Sequence, residues 1–125
     1  MSRQINPVRR HEGLIVWQKA MDLVACVYEL SKRLPATEDY GITAQMKRSA
    51  VSIPANIAEG NGRFTKRAYA NFLSIARGSL METKCYLAIS IRVGYLNQGD
   101  VEGAIGLITR IDQMLTALRT TLQCQ

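Results

Sequence analysis

In DVEGAIGLITRIDQMLTALRTTL, residues 100–122, the apolar side chains recur in alternating steps of three and four. Val101, Ala104, Ile108, Ile111, Leu115, Leu118 and Leu122 therefore share one face of a helix, and the charged and small polar residues take the other. No other stretch sustains the alternation for as many steps. It requires an amphipathic helix, with Asp100 placed to cap its N-terminus.

The same period runs through the rest of the chain. Upstream, Gly94 to Gly99 form a connection, and a helix from Thr65, a good N-cap, to about Val93 carries Tyr69, Phe72, Leu73, Ala76, Leu80, Leu87 and Ile91. Gly60-Asn61-Gly62-Arg63-Phe64 reads as a turn. The helix before it begins after Thr37 or Glu38 and ends at Glu59, with Gly60 as its stop and Ile42, Met46, Ala50, Ile53 and Ile57 as its apolar face. Pro54 sits inside this pattern and lacks the N–H that the helix needs. Either the helix kinks near Ala50–Pro54, or two shorter helices break at Ser52–Ile53. The first helix spans about Leu14 to Leu34, on Val16, Ala20, Leu23, Val27, Leu30 and Leu34, and Pro35 ends it.

Short connections between long helices make neighbours antiparallel. The predicted fold is all-α, an up-down-up-down four-helix bundle over residues 14–125. Residues 1–13, with Pro7 and Gly13, form a basic N-terminal arm. There is no internal repeat or low-complexity tract.

A second stripe on the first helix, Trp17, Met21, Val24 and Tyr28, lies beside the core stripe. One apolar arc of about 100° suffices for a helix in a simple bundle. Leaving these large side chains in water would forgo roughly 1.5–3 kcal/mol each. The stripe predicts an interface with further copies of the chain, a homo-oligomer.

Composition narrows the function classes. The chain has 125 residues, 47% of them hydrophobic, with a formal net charge of +6. Residues 1–67 hold 11 basic and 6 acidic side chains, and residues 68–125 hold 5 and 4. A basic excess confined to one half suits a polyanionic partner. No apolar stretch approaches the roughly 20 residues that span a bilayer, so no membrane partner is expected. The arm has no apolar run behind its arginines and does not read as a secretory signal. Cys26, Cys85 and Cys124 are odd in number and lack metal-ligand or disulfide spacing, which fits a reducing cytoplasm. His11 is the only histidine, and no metal or other cofactor is expected.

Two sets of residues could carry function. On the second helix, Gln45, Arg48, Ser49, Ser52, Asn56 and Glu59 fall within about 100° of arc and border the apolar face. This strip is either a recognition surface for a polar ligand or a hydrogen-bonded network, joining the second helix to Ser79 and Glu82 of the third or joining subunits. Glu59 and Glu82 could pair as acid and base, but no nucleophile elbow or phosphate loop accompanies them, so the chain does not read as an enzyme. The second set is Arg63, Lys66 and Arg67, clustered where a helix begins. Cations there oppose the helix dipole, and a bound phosphate relieves the mismatch. Arg9 and Arg10 of the arm, and Lys47 with Arg48, could extend this surface. Tyr69 is the aromatic of the third helix nearest the cluster, and no interleaved basic–aromatic pattern is evident. RNA or DNA would be held mainly by its phosphates, salt-sensitively and with weak sequence preference. The rival reading is a scaffold that binds an acidic protein partner.

The run from Gly41 to Gly60, with Ser52-Ile53-Pro54-Ala55-Asn56-Ile57-Ala58-Glu59-Gly60 at its heart, closely resembles the signature of a bacterial family. These are the four-helix-bundle proteins encoded in intervening sequences of 23S ribosomal RNA genes. Leu14, Val16, Trp17 and Ala20 resemble the family's opening helix. Leu34-Pro35, Glu38 and Tyr40-Gly41 resemble its first turn, and Phe72, Ala76, Gly78-Ser79-Leu80 and Glu82 its third helix. The resemblance covers about residues 14–120. It implies an antiparallel bundle assembled as a homopentameric ring, and no catalytic residues. The family is also similar to accessory proteins of diversity-generating retroelements, basic pentameric bundles that bind nucleic acid and a reverse transcriptase.

Overall fold

A computed structural model describes residues 11–123. Four helices follow one another: α1 (Ile15–Ser31), α2 (Ile42–Asn61), α3 (Lys66–Arg92) and α4 (Gln98–Gln123). No strand occurs among the described residues. Each helix packs on its chain neighbours, α1 closes against α4, and the diagonal pairs do not meet. That is a square, up-down-up-down bundle. The periodic stripes face its axis: Ala20, Leu23 and Val27 from α1, Met46, Ile53 and Ile57 from α2, Leu73, Leu80 and Leu87 from α3, and Val101, Ile108 and Ile111 from α4 are all buried. Each large apolar side chain taken out of water contributes roughly 1.5–3 kcal/mol.

The helix ends differ from the sequence expectation in ways that have local causes. α1 stops at Ser31, whose hydroxyl donates to the Tyr28 carbonyl at 2.7 Å, although Leu34 remains buried beyond it. α2 starts later than expected, at Ile42, because Ala36–Glu38 forms a separate 3-10 turn. It also runs unbroken through the buried Pro54, which removes the two-helix alternative. Gly60 is not the stop but a contact. A Cβ there would come within 2.7 Å of Phe72 Cβ, so its bareness lets α2 and α3 approach closely as α2 finishes at Asn61. α4 begins at Gln98, and Asp100 lies within its first turn instead of capping it. The Asn97 side chain accepts from the Asp100 N–H at 3.2 Å, and the Asp100 carboxylate accepts from the Asn97 N–H at 2.9 Å, a reciprocal box.

Gly94, at φ +89°, ends α3 in the left-handed region, with the Tyr95 N–H bonded back to the Ser90 carbonyl and the Gly94 N–H to the Ile91 carbonyl. Residues 11–13 of the expected arm form a 3-10 turn packed on α1: the His11 ring meets Trp17 edge-on at 5.0 Å, and Gln18 donates to the Glu12 carbonyl.

Candidate nucleic-acid interface

Antiparallel topology sorts the chain into two ends. Residues 11–15, the 61–66 turn and the last turns of α4 share one, and residues 31–42 and 92–100 share the other. At the first end α3 opens with Thr65 as its N-cap, the hydroxyl accepting from the Ala68 N–H at 3.1 Å. Between this first turn and the end of α4 lies an open cleft of about 920 Å³. Lys66 and Arg67 line one wall and Arg119 the other, with Asn71, Ser74 and Gln123 supplying uncharged hydrogen-bonding groups. None of the lining residues is acidic. The cleft exists because α3 presents Ala70 and Ser74 where α4 presents Leu122. These side chains are too short to fill the gap, and Leu118 and Leu122 are left half-buried. A smaller hollow of about 440 Å³ continues it along α3 and α4, sharing Ser74 and Arg119.

The expected cluster is therefore divided. Lys66 and Arg67 line the cleft, whereas Arg63 turns away to pair with Glu59 at 2.7 Å and to lie over the Phe72 ring at 4.8 Å. Lys47 and Arg48 do not join it. They sit about 20 Å back along α2, Lys47 over the Tyr28 ring and Arg48 donating to Gln45. Arg9 and Arg10 lie outside the described residues.

Two features escaped sequence reasoning. Arg119 is distant in sequence and only the bundle brings it to Lys66 and Arg67. Phe64 was hidden in plain view between Arg63 and Lys66, counted only as a turn residue, yet its ring is fully exposed, at 106%.

The polar strip of α2 also divides. Its inner members form a ladder in the α2–α3 seam: Ser49 with Thr83 at 2.8 Å, Ser52 with Ser79 at 2.8 Å, and Asn56 donating to both the carbonyl and the hydroxyl of Ser52. Gln45, Arg48 and Glu59 stay exposed, as does Glu82, which takes no part in the ladder. On α1, Trp17 and Val24 are half-buried against the bundle core, while Met21 and Tyr28 are each 43% exposed.

The opposite end is closed by polar contacts between distant segments. Tyr95 donates its phenol to Glu38 at 2.7 Å, and Arg33 pairs with Asp100. The bond to Glu38 raises the Tyr95 pKa above the usual tyrosine range, and the Asn97 N–H, with help from Arg33, holds Asp100 below the usual carboxylate range. Burial pushes the Cys26 thiol up, away from thiolate reactivity. Among the described residues no three His, Cys, Asp or Glu side chains gather to hold a metal ion, and no helix is long and apolar enough to cross a membrane.

Residues 12–117 match the family described as 23S rRNA-intervening sequence protein. The chain belongs to that family. This chain is also similar to a crystal structure from Bacteroides thetaiotaomicron, a protein with unknown function from the S23 ribosomal protein family. The TM-score is 0.77 at 26% sequence identity, covering 84% of this chain and 98% of that one. No curated protein matches.

Proposed function

We propose that this family member is a cytoplasmic, homopentameric bundle that binds RNA or DNA through phosphate contacts and catalyses no reaction. The observation that carries the reading is the cleft lined by Lys66, Arg67 and Arg119 beside the α3 N-terminus. Cations from two helices converge there with a helix end that itself favours anions. Residues 11–15 lie at the same end of the bundle. Self-association is supported by the exposed Met21 and Tyr28, with Ile15 at 61% exposure on the same helix, and by the pentameric rings implied by the resemblance.

Fluorescence anisotropy with mixed RNA and DNA near physiological salt tests the binding. Reversing Lys66 and Arg67 to Glu lowers affinity at least about tenfold and flattens its salt dependence, because fewer counterions are released. Absence of binding below tens of micromolar would favour the scaffold for an acidic protein instead. Light scattering tests the assembly: Met21→Glu with Tyr28→Glu yields smaller particles that keep their helical content. Particles of unchanged mass would remove that stripe from the interface.

A further inference from the structure

We propose that the basic end takes single-stranded nucleic acid in preference to duplex, with the Phe64 ring as a stacking platform for one base and the adjoining cleft as the seat of the flanking phosphates. The inference rests on the nucleic-acid reading above and adds the class of strand.

Phe64 is fully exposed, yet both its neighbours are anchored. Arg63 is tied to Glu59 and lies over Phe72, and Thr65 is locked as the α3 N-cap. The ring is thus held out from a short turn, with no described residue covering it. Thr65, the next residue, lines the cleft, so the backbone that bears the ring joins directly onto the cleft wall. A base stacked on Phe64 has its neighbouring phosphates within reach of Arg67 and Arg119. In a duplex the base faces are covered by one another, and only edges and backbone are presented. A protruding ring can use a base only when that base is unstacked, as single strands allow.

The other end supplies an internal control. Tyr40 is equally bare, at 100% exposure, but stands next to Asp39 and near Glu38, where a polyanion is repelled.

The test is anisotropy with a labelled mixed-sequence oligonucleotide, as a single strand and as a duplex, at two salt concentrations. The native protein binds the single strand more tightly. Phe64→Ala lowers that affinity by about 5- to 100-fold, leaves duplex affinity unchanged and keeps the salt slope, since no charge is removed. Phe64→Trp retains binding, and Tyr40→Ala changes nothing. Tighter binding of duplex, or equal single-strand affinity for native protein and Phe64→Ala, overturns the inference while leaving nucleic-acid binding intact. If the native protein binds neither probe, the underlying reading falls and takes this one with it.

Discussion

Each end of the bundle turns the chain between helices and bares one aromatic ring, but the two treat their polar groups in opposite ways. At the end formed by residues 31–42 and 92–100, groups far apart in sequence satisfy each other, Tyr95 with Glu38 and Arg33 with Asp100, and Asn97 with Asp100 closes a local box. At the other end Arg63 takes Glu59, while Lys66, Arg67 and Arg119 line one cleft with no acidic side chain among its described lining residues. Internal pairing of this kind holds loops to helices. Like charges gathered on an open rim repel one another, and an anion bound among them would offset that repulsion. The contrast suits one end to stability and, on the function proposed above, the other to recognition.

Substitutions that act on one end alone can break that division. The largest effect belongs to Arg67→Glu with Arg119→Glu. Nucleic-acid affinity falls by at least about 100-fold near physiological salt, while thermal stability stays within about 0.5 kcal/mol, as expected for exposed sites. A large loss of stability would mean that these arginines serve the fold.

Next, Gly60→Ala forces a methyl against Phe72 at 2.7 Å, and because the obstacle is a Cβ close to the backbone, denaturant melts show a loss of about 1–3 kcal/mol. Even the recognition end is thus tightly packed behind its charged rim. A smaller loss of stability follows Glu38→Ala at the paired end, which removes the acceptor of the Tyr95 phenol. Affinity for nucleic acid is unchanged.

The mildest change is with pH. Asp100 has a lowered pKa in the fold, so its contribution is complete above the ordinary carboxylate range and fades as pH falls through the lowered value. Tyr95 has a raised one, so its contribution is complete below the ordinary tyrosine range and is lost as pH rises through the raised value. Melting temperatures of the native protein and Asp100→Asn therefore differ at neutral pH and converge in acid.

The fold was legible because burial leaves a period in the sequence. The three-four stripe of residues 101–122 and its counterparts gave all four helices and nearly every core residue. The boundaries that were missed depend on contacts no local pattern announces. Gly60 looked like a helix stop, yet its value is the proximity of Phe72. Asp100 looked like a cap, yet Asn97 fills that role in return for the Asp100 carboxylate. The candidate site was legible only in its contiguous part, Lys66 and Arg67. Arg119 reaches it through the topology of the bundle. Phe64 carried a visible signal, an aromatic flanked by cations, but exposure turns such a residue into a platform, and exposure is a property of the folded turn. The polar strip of α2 was seen as one unit because its members share an arc. The fold separates it by depth, with Ser49, Ser52 and Asn56 inside the seam and Gln45, Arg48 and Glu59 outside.

Backbone amide shifts recorded by NMR while a single-stranded oligonucleotide is added read both ends at once. Perturbations concentrated in residues 63–74 and 116–123, with residues 31–42 and 92–100 unmoved, are the expected result. Shifts centred on the Glu38–Tyr95 end, or spread evenly over the four helices, would contradict the division of labour between the two ends.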